Sequence, residues 1–301
     1  MKGGLYAIRK SQCSSRFICK CFTLSSILPK ESTGLVIYCR NMGRQVLLYY
    51  GNQKFKGEWR MNVDKEIRST KKLIFLHLFP GIALSIMYIF FSKVGILAGY
   101  PRVVILGFSM IFSTIPIELG YLFYVAKKEE GTFNIFKILG LKGKLKVKVI
   151  IFYSLASIIV GVILLIALKP LPNYLLKTVF CWIPSWYNFI QDMSLFSKNY
   201  IIIAILVDFF ILTLIAPIIE ELYFRGFLLA RMKWMGKYSV LFNVILFSVY
   251  HLYTPWLIIT KIATILPLYY FVYKKDSLKL GILVHCLVQF ADAVSYMTLL
   301  I

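Results

Sequence analysis

Apolar runs about as long as a bilayer is thick, separated by clusters of lysine, leave this chain few ways to fold. Seven can be drawn, at about residues 73–91, 103–126, 149–168, 200–222, 238–252, 256–273 and 280–300, each near the ~20 residues a helix needs to cross. Lipid offers no partner to a backbone N–H or C=O, so such runs become helices, which satisfy both internally. Hydrophobic residues make up 59% of the chain and charged ones 16%, below the ~25% charge of a soluble domain. The fold expected is all-α: a multi-pass transmembrane helical bundle of about seven helices, within a range of six to eight because the fifth run is short.

The loops give an orientation. Lys71 and Lys72 precede the first run, Lys127 to Lys148 follow the second, Arg231 to Lys237 follow the fourth, and Lys274 to Lys279 follow the sixth. The alternate loops are poorer, with Lys93, Arg102, Lys169, Lys177 and Lys198. The positive-inside rule then puts the N-terminus in the cytoplasm and the protein in a cell membrane. The net charge of +22 forms no continuous face on a folded domain, so no nucleic acid is expected as a partner. Membrane lipid is.

Residues 1–60 form a basic, irregular extension whose first acidic residue is Glu31. It reads either as a targeting peptide or as sequence ahead of a working protein that begins at Met61 and occupies 61–301; the second reading is preferred. Cys19 and Cys21 are too close for a zinc knuckle, and the six cysteines suggest free thiols rather than a disulfide framework. Residues 133–146, which mix apolar and basic side chains, are expected to rest on an anionic leaflet. The aromatics of 179–189 suit the opposite interface.

Ionisable groups inside these runs point to function, because lipid tolerates them poorly. Glu220, Glu221 and Arg225 fall within six residues of the fourth run. On a helix Glu221 and Arg225 share a face, and Glu220 points about 100° away. Alone, the pair fits a structural clasp equally well. Phe247 and His251 share a face of the fifth run, and His285 and Gln289 a face of the seventh. Measured from the lysine-rich ends, Glu220 lies roughly 16 Å in, His251 roughly 20 Å and His285 roughly 9 Å. Glu118, Asp208, Lys261 and Asp292 are expected to be structural or water-exposed, and His77 to sit at the interface. Motifs of the GxSxG and Walker types are absent, which removes serine-nucleophile and ATP-driven chemistry.

Glu220 to Arg225 match EExxxR, Phe247 to His251 match FxxxH, and His285 to Gln289 nearly match HxxxN. In this order over residues 200–295, the chain resembles the CPBP family of CAAX proteases and bacteriocin-processing enzymes. Residues 115–122 also look like its bacterial members. The resemblance implies an intramembrane endopeptidase that cuts a membrane-associated peptide or lipidated peptide from the cytoplasmic side. It implies that Glu220 and His251 activate water, that His285 and residue 289 form the oxyanion hole, and that Glu221 and Arg225 orient Glu220. Gln289 departs from the family's Asn by one methylene. No cofactor is favoured; zinc, held by Glu220, His251 and His285, stays open because His₂Glu is a known zinc set. The alternatives are a non-catalytic immunity or regulatory membrane protein on the same scaffold and, less well matched, a secondary transporter.

Overall fold

The computed structural model describes residues 20–21, 37–41, 44–47, 65–93, 99–189 and 191–298. The chain divides into two units, Met1–Met61 and Asn62–Ile301. In the first, where the sequence reads as irregular, β1 (Lys20–Cys21), β2 (Ile37–Asn41) and β3 (Arg44–Leu47) pair antiparallel in that order. The expectations for Met61 and for the thiols of Cys13, Cys19, Cys21 and Cys39 lie outside the described residues and side chains.

The second unit is a helical bundle. Its helices are α1 (Thr70–Lys93), α2 (Arg102–Phe112), α3 (Thr114–Glu130), α4 (Val147–Ala167), α5 (Pro170–Thr178), α6 (Lys198–Val207), α7 (Ala216–Glu220), α8 (Tyr238–Tyr250), α9 (Ile258–Lys274) and α10 (Leu278–Met297). Six helical stretches among the described residues are long and apolar enough to cross a membrane, and α8 is shorter. The protein is a multi-pass membrane protein, and every expected run is a helix. The hydrophobic side chains that α4 leaves exposed, among them Phe152, Leu155, Ile159 and Ile163, are what a lipid-facing helix presents.

Three irregularities set up the interior. The second crossing breaks at Ser113 (φ −129°, ψ −83°) between α2 and α3, next to Pro116, which cannot donate a backbone bond. Glu118 therefore falls in the first turns of α3. The fourth crossing, Lys198–Leu229, widens to π-helical turns at Asp208–Ile215 and Glu221–Leu229, on either side of α7. Pro217 frees a carbonyl there, and such widenings recur at functional sites. Finally, α8 stops inside the bundle at His251 (φ −78°, ψ 51°), at about 20 Å of rise for its 13 residues. Pro255 then opens a short 3₁₀ turn, Pro255–Leu257, that leads into α9.

Two apolar clusters hold the helices. One gathers Leu76, Leu122, Phe224, Phe227, Val244, Tyr250, Tyr269, Val272 and Val284. The other gathers Leu84, Tyr88, Val104, Met110, Leu212 and Tyr253. Residues 133–146 do not simply rest on a leaflet. Ile135, Ile138, Leu139 and Leu141 are buried in the first cluster, and Phe133 and Phe136 remain exposed. Gly140 N donates to Gly226 O at 2.7 Å, where a Cβ on Gly140 would lie 2.4 Å from that of Ala230. The loop is thereby fastened to the helix that carries the acidic pair. Trp182 is exposed, and Lys93 Nζ lies 4.8 Å from the Trp186 ring centroid.

Candidate active site

The three sequence motifs converge. Glu220 is buried at the end of α7; its Oε1 accepts from Tyr250 Oη at 3.1 Å, and its Oε2 lies 3.9 Å from His285 Nε2. Adjacent in sequence, Glu221 turns elsewhere, as the ~100° step of a helix requires. Its Oε1 accepts from Tyr269 Oη at 2.8 Å and from His285 Nδ1 at 3.1 Å, and it lies 3.4 Å from Arg225 Nη1. The two glutamates thus address the two nitrogens of one imidazole. That leaves them different work: Glu221 fixes the ring, and Glu220 faces the cavity.

Arg225 is fully buried, its guanidinium carbon 3.4 Å from the Tyr269 ring centroid and 3.8 Å from that of Phe247. A weakly hydrated planar cation between two π-faces is a stable arrangement where water is scarce. The clasp expected of Glu221 and Arg225 is present, and Phe247, the first residue of the second motif, forms one wall of it. No glycine motif signalled one further requirement. A Cβ on Gly281 would stand 2.5 Å from Glu221 Oε2, so only glycine lets α10 approach the carboxylate.

His251 caps α8. Its Nδ1 donates to Phe247 O at 2.8 Å, since a carbonyl can only accept, and this leaves Nε2 as the nitrogen with an acceptor lone pair. The ring packs edge-on against Phe247 and Tyr250, at 4.8 and 4.9 Å between centroids. Gln289 stands one turn beyond His285, its Nε2 donating weakly to Leu212 O at 3.5 Å.

Glu220, His251, His285 and Gln289 all line one cavity of about 380 Å³, within the range of small-molecule sites. Its other walls include Leu106, Met110, Leu165, Asp208 and Lys261. These residues belong to the lysine-poor ends of the helices. Glu220, His251 and His285 share this space, which extends away from the lysine-rich ends rather than towards them.

One expectation changes and another narrows. His77 is not interfacial but completely buried, its Nδ1 donating to Leu73 O at 2.8 Å and its Nε2 accepting from Asn243 Nδ2 at 3.0 Å. Of the two roles open to Glu118, structural or water-exposed, burial removes the second. The side chain is fully buried beside Glu220 and Tyr250. The side chain of Asp292 lies outside those described. Among the described residues no group of three His, Cys, Asp or Glu is placed to hold a metal ion. The residues named for zinc do not form such a group, and no step below passes through a metal.

A membrane bundle with a buried Glu–His site defines the class. Residues 202–291 match the family model described as type II CAAX prenyl endopeptidase Rce1-like, a CPBP-family domain. The matched segment holds all seven motif residues and excludes Glu118 and His77. No curated protein and no solved structure matches the chain.

Proposed function

We propose that the protein is an intramembrane endopeptidase in which Glu220 is the general base. The observation that carries this is the division of labour on His285: Glu221 occupies Nδ1, and Nε2 is left facing Glu220 and the cavity. Water placed between Glu220 and His251 Nε2 attacks the peptide carbonyl carbon. Its proton passes to Glu220, and the carbonyl oxygen becomes the oxyanion. His285, as an imidazolium whose Nδ1–H is held by Glu221, donates Nε2–H to that oxygen together with the Gln289 amide; the intermediate then collapses, the C–N bond breaks, and Glu220 returns the proton to the departing amine. Charge developing in a site shielded from water is stabilised far more by fixed donors than it is in solution. Tyr250 steadies Glu220, and Arg225 with Tyr269 steadies Glu221. The similarity to CAAX prenyl endopeptidases makes a lipidated peptide the substrate class to try first.

The resemblance implies cutting from the cytoplasmic side. The cavity walls favour a peptide that reaches Glu220 through the lysine-poor half of the membrane. The test is cleavage by purified protein in lipid nanodiscs. Farnesylated CAAX peptides and non-prenylated membrane peptides are supplied, and new termini are read by mass spectrometry. Cleavage of the farnesylated set supports the reading. Intact peptides throughout contradict it.

A further inference from the structure

We infer that Lys261 is the carboxylate receptor of this cavity, binding the free C-terminal carboxylate of the peptide whose scissile bond lies at Glu220. The inference rests on the peptidase reading and adds to it how a substrate is chosen. Lys261 is the sole Lys or Arg among the described residues lining the cavity. Its ammonium lies 5.3 Å from the Tyr253 ring centroid and forms no ion pair with a described carboxylate; Glu220 is the acidic group whose field reaches it. An ammonium in a membrane interior is expensive unless it is given an anion.

The wall it stands on says where that anion would be. Lys261, Thr264, Ile265, Leu268 and Tyr269 line the cavity from α9, and their 3–4 spacing puts them on one face. The face runs from Tyr269, which touches Glu221 and Arg225, to Lys261 about 12 Å along the axis. Between them the walls are mostly apolar, with Leu212, Leu268, Val284 and Val288. An extended peptide covers about 3.3–3.6 Å per residue, so a chain held at Glu220 reaches Lys261 within a few residues. A space of about 380 Å³ has room for a chain that ends there, and a chain that ends brings a carboxylate. Asp208 and Glu220 supply the opposite sign on the same walls, which leaves Lys261 as the attractive point.

Binding decides it, on a Glu220→Gln background in nanodiscs so that nothing is consumed. Two dansylated, farnesylated CAAX peptides are compared, identical except that one ends in a free acid and the other in an amide. The acid is expected to bind at least tenfold tighter. Lys261→Met should bring it to the level of the amide, and Lys261→Arg, a folded control, should keep the preference. Equal binding of acid and amide, no binding of either, or a preference that survives Lys261→Met overturns the inference. So does an amidated peptide with a terminal glutamate that binds as tightly as the acid. Wild-type cleavage is scored separately. Cutting without acid preference removes the role of Lys261 and leaves the peptidase. Acid-selective binding without cutting keeps Lys261 and removes the peptidase.

Discussion

Adjacent glutamates of the same chemistry serve two ends here because a helix separates them by ~100°. Glu221 is tied into Arg225, Tyr269 and His285, and Glu220 has Tyr250 as its hydrogen-bond donor. Removing the buried cation should therefore unfold rather than merely slow the protein. Arg225→Met is expected to cost on the order of 3–5 kcal/mol by leaving Glu221 buried and uncompensated, seen as a drop in unfolding temperature in detergent. Gly281→Ala acts on the same carboxylate from the other side. With a Cβ 2.5 Å from Glu221 Oε2, His285 loses its anchor, and peptide turnover should fall at least tenfold with the helical circular dichroism retained. The motif residues were legible because 3–4 spacing places them on helix faces. Tyr250, Tyr269 and Gly281 were not. The tyrosines sit in aromatic runs, where only tertiary contact separates a packing ring from a hydroxyl donor, and a glycine carries no sign of the atom it admits.

At the scale of elements, irregular helices shape the site. α8 ends at His251 within the bundle, the crossing that carries Glu220 widens on both sides of α7, and the α2–α3 break leaves Glu118 inside. The short fifth run and Pro217 were visible in the sequence, so the shortness of α8 was foreseen. The widened turns were not, because hydrophobic periodicity at 3.6 residues does not register one extra residue per turn. α10 carries the test at this scale. Gln289 lies one turn past His285 with its amide only weakly engaged, 3.5 Å from Leu212 O, and so can swing to an oxyanion. Gln289→Ala should lower kcat by about 10²–10³, and Gln289→Asn should keep most of it, with unfolding temperatures unchanged in both. Steady-state kinetics on a cleaved peptide measures this; an Ala variant as fast as the wild type removes Gln289 from the oxyanion hole.

For the whole molecule, the order of the crossings, and their number within six to eight, followed from hydropathy alone, because lipid demands that each crossing satisfy its own backbone. The direction of the cavity did not, since it depends on which ends of α4, α9 and α10 part from their neighbours. Orientation has a handle in Cys181, exposed in the lysine-poor connection after α5. If the lysine-rich ends are cytoplasmic, a membrane-impermeant maleimide should label Cys181 on intact cells; labelling only after lysis would reverse the orientation. The central claim remains that Glu220 does chemistry and Glu221 does architecture. Its most direct test compares Glu220→Gln with the wild type on a farnesylated CAAX peptide in nanodiscs, with cleavage and unfolding temperature recorded on the same preparations. The account requires turnover to fall by about 10²–10⁴, the contribution of a general base, at an unchanged unfolding temperature. A Glu220→Gln protein that cuts as fast as the wild type would contradict it.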